Sequence, residues 1–205
     1  LQIFDVEGKA LSALGFNGDA PTYFNEPKGI CLQSGAGNLI VADSNNYRVQ
    51  MLSICDDGMD SKYLGTIYSS TEPETRLIPN GVASTCQGHI VVTYHDCSLV
   101  KLFDENGRFL RNIKLATCKD ASSSPVALNV CINDTNSRIL VADSNTRRIS
   151  MWSCDGHQQI GSFSVDGSPC SLAIDHYDQL LLGMHYNQIA VYTPAKSSYQ
   201  WLKPS

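Results

Sequence analysis

Two aspartate and arginine pairs stand at one spacing in the chain, Asp43 with Arg48 and Asp143 with Arg148. An arginine at such a turn can hold phosphate or carboxylate through its planar fork, or it can close on the aspartate and fix the turn between them. Repetition favours the second reading, because a residue required in successive units more naturally holds those units together. The residues inside the turns vary instead. They are Ser44, Asn45, Asn46 and Tyr47 in one copy and Ser144, Asn145, Thr146 and Arg147 in the other. Asparagine offers donors and acceptors to base edges, tyrosine and histidine offer stacking faces, and Arg147 can stack or hold phosphate. The same side chains anchor protein interfaces.

Other chemistry is sparse. His95 and His185 fall in one slot of two weaker copies, but two ligands leave a tetrahedral metal site incomplete, so no metal or other cofactor is expected. Eight cysteines (31, 55, 86, 97, 118, 131, 154 and 170) include no C-x-x-C pair. Several recur at equivalent repeat positions. They read as small buried apolar residues rather than disulfides, which favours the cytoplasm. Asn133, Asp134 and Thr135 form a glycosylation triplet of the kind that chance often produces. G-x-S-x-G, H-E-x-x-H and phosphate-loop patterns are absent from the sequence, so hydrolase, protease and NTPase chemistry has no support.

The elements that position these residues follow from internal repeats. The segment GNLIVADSNNYRVQMLSICDDG (residues 37–58) aligns with SRILVADSNTRRISMWSCDG (residues 137–156), and weaker relatives cover residues 88–107 and 179–194. Pro27, Pro79, Pro125 and Pro169 each precede a short apolar run, at intervals of roughly 45 to 50 residues, the size of a four-stranded propeller blade. Proline suits the start of a blade's innermost strand, where its missing N–H is harmless. In the first full unit the strands are expected at about 29–33, 38–42, 48–54 and 61–68, and helical periodicity is absent. The predicted fold is therefore all-β: a single propeller over residues 1–205, with a partial blade at 1–25 and blades at 26–78, 79–124, 125–167 and 168–205. About four and a half blades suggest a fragment of a six-bladed ring, with a five-bladed arrangement as the alternative.

Composition agrees with a globular protein. The chain has 205 residues, 42% of them hydrophobic and 17% charged, with no apolar run near the roughly 20 residues of a membrane span. No signal segment opens it, and it reads as soluble with no membrane partner. A net charge of -5 and a pI near 5.4 argue against a general basic field of the kind that binds nucleic acid non-specifically, and no DNA partner is expected.

Proline before the inner strand, V-A-D-S-N-x-x-R-[VI] across the next two, and F-D-x-x-G afterwards resemble the NHL repeat, strongly in the units at Pro27 and Pro125. The units at Pro79 and Pro169 depart from it: Tyr94 and Met184 stand where the aspartates stand, and Leu99 replaces the arginine. The chain is thus similar to the propellers of tripartite-motif NHL proteins of the Brat-like kind. That resemblance implies a recognition module binding RNA, single-stranded or hairpin, or a partner protein, in a post-transcriptional regulator or a ubiquitin ligase. It places the candidate site on one rim, formed by Tyr23, Asn25, Lys28, Asn45, Asn46, Tyr47, Arg48, Tyr94, His95, Asn145, Arg147, Arg148, His185 and Tyr186. Among these the positive charges Lys28, Arg48, Arg147 and Arg148 are offset by Glu26, Asp43, Asp96 and Asp143, which weighs toward a protein partner. The peptide-amidating lyase is a related propeller whose zinc ligands follow the blade-opening prolines. Here those positions are Lys28, Asn80, Val126 and Cys170, so no enzymatic activity is expected.

Overall fold

A computed structural model describes residues 1–54, 61–68, 77–95, 97–115, 127–135, 137–185, 188–194 and 201–202. A two-stranded sheet comes first, β1 (Gln2–Phe4) and β2 (Ala10–Ala13). Four antiparallel four-stranded sheets follow. Blade 1 contains β3 (Pro27–Leu32), β4 (Leu39–Asp43), β5 (Arg48–Ile54) and β6 (Ser61–Tyr68). Blade 2 contains β7 (Pro79–Ser84), β8 (Ile90–Tyr94), β9 (Leu99–Phe103) and β10 (Phe109–Lys114). Blade 3 contains β11 (Ala127–Asn133), β12 (Arg138–Asp143), β13 (Arg148–Ser153) and β14 (Gln159–Ser164). Blade 4 contains β15 (Pro169–Ile174), β16 (Leu180–Met184), β17 (Gln188–Pro194) and β18 (Trp201–Leu202). Among the described residues the helical content is a single 3-10 turn at Ser44–Asn46, and no helix is long and apolar enough to cross a membrane.

The sheets form a β-propeller. First strands contact one another in succession, β3 with β7, β7 with β11 and β11 with β15, and so line the axis. Pro27, Pro79 and Pro169 are the first residues of their strands, whereas Pro125 lies outside the described residues.

Burial on two faces explains why the second strands read as unbroken apolar runs. In β4, Ile40 and Ala42 pack toward blade 2 with Val82, Ile90, Val92 and Tyr94. Leu39 and Val41 pack the other way, with Leu52 and Phe24. The same division recurs in β12. Ile139 and Val141 join Val91 and Leu102 of blade 2, while Leu140 and Ala142 join Leu172, Leu180 and Leu182 of blade 4. Each core is therefore a seam between blades. Removing one of its large side chains costs about 2 to 5 kcal/mol. Blade 4 alternates instead: Leu180, Leu182 and Met184 are buried against blade 3, and Ile189 on the opposite face is 77% exposed.

The cysteines divide. Cys31 and Cys131 occupy matching positions in β3 and β11, opposite Ile40 and Leu140, and pack on the seams as expected. Cys86 departs from that reading, because it lies in an exposed turn. All six described cysteines are free thiols; Cys55 and Cys118 fall outside the described residues. Asn133 of the glycosylation triplet is 1% exposed, so its amide is shielded in the folded chain.

Candidate functional rim

The turns between second and third strands lie on one end of the propeller, together with the loops that approach the first strands. Register fixes their equivalence: Pro27 faces Asp43, Pro79 faces Tyr94, Ala127 faces Asp143 and Pro169 faces Met184. Beyond these positions the N–H of His95 and His185, the next residues of blades 2 and 4, donates to the carbonyls of Ile78 and Ser168, just before the prolines. In blade 1 the bond is shifted outward by one residue at each end, from the Asn45 N–H to the Asn25 carbonyl.

In blade 1 the turn is wired to its approach loop. The buried Asp43 carboxylate accepts from Arg48 Nε (2.8 Å), Asn46 Nδ2 (2.8 Å), Gln50 Nε2 (3.1 Å) and the Asn25 N–H (2.7 Å). The arginine continues to the carbonyls of Ala20 and Tyr23, and Asn46 to that of Gly18. Gln50, fully buried, donates to Tyr23 O and accepts from the Thr22 N–H. Ser44 Oγ donates to Pro79 O across the seam to blade 2. Arg48 is 7% exposed, and its ion pair with Asp43 makes it part of the frame.

Blade 3 carries the same aspartate and arginine with other partners. Asp143 accepts from the N–H groups of Asn145 and Thr146 and from the Thr146 hydroxyl, capping its own turn. Arg148 turns outward to Ser162 (2.6 Å) and Ser164 on β14.

The side chains left on the surface are more informative. Tyr47 and Arg147 share one left-handed position (φ 55° and 53°), sparsely populated for residues with a Cβ. Arg147, Asn45, Asn145, Lys28 and His185 are exposed, while Asn25, Asn46, Tyr47, His95 and Arg148 are half-buried. Tyr94 is wholly buried in the seam between blades 1 and 2, and burial pushes its phenol pKa up. Tyr186 and Asp96 lie outside the described residues. Sequence reasoning missed Phe16. It is 73% exposed, and its ring lies 5.5 Å from that of Tyr23, itself 36% exposed, at an angle of 58°. Its segment is not repeated in the sequence of the other units, so repeat alignment carried no signal for it. Among the described residues no cluster of three or more His, Cys, Asp or Glu side chains is set to hold a metal.

Fold and rim together define a β-propeller protein with an NHL-type turn frame, and comparison with known proteins agrees at that level. The NHL repeat family matches residues 24–51, the segment that carries the wired turn of blade 1. Virginiamycin B lyase from Staphylococcus aureus is similar in structure, with a TM-score of 0.66 at 14% identity, over 99% of this chain and 62% of that one. A protein from Lactobacillus plantarum gives 0.72 at 12% identity, over 100% and 63%. Kuenenia stuttgartiensis hydrazine synthase gives 0.65 at 14% identity, over 92% and 52%. At these identities the likeness is one of fold, and the chain spans between half and two thirds of each of these proteins. No curated protein matches the sequence.

Proposed function

We propose that this rim is a recognition surface for RNA, single-stranded or in a hairpin loop, in a cytoplasmic regulator of the tripartite-motif NHL kind. Any ubiquitin transfer would belong to other domains. The observation that carries the reading is an exposed aromatic pair, Phe16 and Tyr23, in the loop that leads to Lys28 and is tied to the Asn45 turn. Stacking on such rings contributes about 1 to 3 kcal/mol per base and tolerates any sequence. Lys28 and Arg147 supply exposed charge for phosphates, and Asn45 and Asn145 supply exposed amides for base edges.

Two exposed cations imply a shallow salt dependence, with a slope near -1.4 on logarithmic axes at about 0.7 per phosphate contact on a single strand. Fluorescence anisotropy with a random RNA pool across a salt series tests this. Micromolar binding that weakens with salt is the expected result, and Phe16→Ala should reduce affinity by about tenfold, given the stacking energies above. An absence of salt-sensitive binding at micromolar protein would sink the RNA reading.

The second reading is a protein scaffold that selects targets for a ubiquitin ligase. It is favoured by the same aromatic pair on a chain of net charge -5. In that case Phe16→Ala abolishes capture of a protein partner and salt has little effect.

A further inference from the structure

The opposite rim holds the turns between first and second strands, and there each blade reaches the next at one equivalent position. That position has positive φ throughout: Gly88 (81°), Ser137 (51°) and Asp178 (60°). At the seam between blades 1 and 2, Gln33 Nε2 donates to Gly88 O (3.0 Å) and to Glu105 O (2.8 Å). At the seam between blades 3 and 4, Thr135 Oγ1 donates to Asp178 Oδ1 (2.7 Å). Between blades 2 and 3 the bridge is made by sulfur. Cys86 Sγ lies 3.8 Å from Ser137 Oγ, and the Cys154 turn stands beside it, near enough for Cys86 to influence the Cys154 thiol. By register Ser137 matches Gly88 and Cys154 matches Glu105, so Cys86 stands against the counterparts of both residues that Gln33 touches.

Two further contacts press the Cys154 turn onto blade 2. A Cβ at Gly156 would fall 2.8 Å from Ile113 Cδ1, which leaves no gap between the turn and β10. Beside it Arg111 hydrogen-bonds His157. The two cysteine-bearing turns are thus held together by the packing of the seam. They differ in access: Cys86 is exposed and Cys154 buried, and burial followed by the neighbouring Cys86 pushes the Cys154 thiol up to about 12.

We propose that Cys86 and Cys154 are a redox modification site, closing to an inter-blade disulfide when the protein meets a hydroperoxide. Cys86, as its thiolate, attacks the peroxide and becomes a sulfenic acid, with the peroxide leaving as water or alcohol. The Cys154 sulfur then displaces the sulfenic hydroxyl. A second water departs with the Cys154 proton, so two thiols and one peroxide yield one disulfide and two oxygen-containing products. Rotation of the two side chains on facing turns brings the sulfurs to the bond length of about 2.05 Å. The bond staples blade 2 to blade 3, and exchange with a thiol reverses it.

Peptide mapping of the folded protein tests the site. The chain is treated with a small excess of hydrogen peroxide, remaining thiols are alkylated, and the digest is analysed by mass spectrometry without reduction. The expected product is a Cys86–Cys154 linked peptide pair that dithiothreitol removes, together with a Tm several degrees higher than that of the reduced protein. Cys86→Ser, a change in an exposed turn, should abolish the linked pair and leave the reduced Tm within a degree or two. Over-oxidation of Cys86 with Cys154 still alkylatable in the unfolded digest, or a link from Cys86 to another cysteine, overturns the proposal.

Discussion

Blades 1 and 3 share the segment VADSN and the arginine after it, yet they use these residues differently. In blade 1 the aspartate gathers Arg48, Asn46 and Gln50 into one buried network that holds the approach loop at residues 18–25. In blade 3 the aspartate caps its own turn, and Arg148 leaves for β14. The cause lies in residues that alignment passes over. Gln50 and Ser150 are equivalent, facing Val41 and Val141, and a serine is too short to reach the aspartate and a loop carbonyl together. Asn46 spans from Asp43 to the loop, where Thr146 bonds the aspartate alone. An identical motif thus marks a shared frame, and its neighbours decide which side chains that frame gathers.

The contrast is broken or upheld first by the aspartates. Asp43→Asn strands the buried Arg48 charge and should destabilise the protein by about 3 to 5 kcal/mol, against about 1 to 2 kcal/mol for the turn caps lost in Asp143→Asn. Urea unfolding of the two variants measures this, and equal losses would erase the distinction. Next come their supporting residues. Gln50→Ala should cost about 2 to 3 kcal/mol by leaving buried groups unsatisfied, and Ser150→Ala about 1 kcal/mol or less. A third comparison concerns the left-handed position. Arg147→Gly should relieve backbone strain with a net gain of about 0.5 kcal/mol while weakening RNA binding. Tyr47→Gly should bring the same relief with a smaller effect on RNA, and anisotropy beside thermal melts separates the two effects.

The smallest expected effect is one on which the blades agree. Burial pushes the Cys31 thiol up to about 12 and raises that of Cys131 as well. Both stay protonated in the folded chain while the unfolded chain ionises near the ordinary thiol value of 9. The stability they contribute is complete below that value and is lost as pH rises toward the folded-state values. Cys31→Ala and Cys131→Ala should each flatten the alkaline loss slightly, and neither native thiol should react with iodoacetamide at pH 8.

Much of the fold was legible because blade geometry repeats. The strands expected at 48–54 and 61–68 match β5 and β6, and the opening residues pair as β1 and β2. The prolines that open β3, β7 and β15 and the double-sided apolar runs of β4, β8 and β12 follow from burial rules shared by those blades. The rim was less legible. Arg48 and Tyr94 look like surface ligands by residue type, but a neighbouring carboxylate and a seam of aliphatic side chains enclose them. Phe16 sits in an unrepeated loop. Cys86 and Cys154 belong to different units at non-equivalent positions, so only the packing of blade 2 on blade 3 brings their turns together.

The rim opposite the candidate site bears on how the chain finds its arrangement. An amide, a thiol and a hydroxyl bridge three successive seams, each to a partner of different chemistry at the same place. Blades with similar backbones are therefore not interchangeable. If blade 3 were threaded after blade 1, Gln33 would meet a serine and a cysteine in place of Gly88 and Glu105, and Cys86 would lose its sulfur partner. The seams act as mating keys that write the order of the blades into the assembly, independently of the covalent order of the chain.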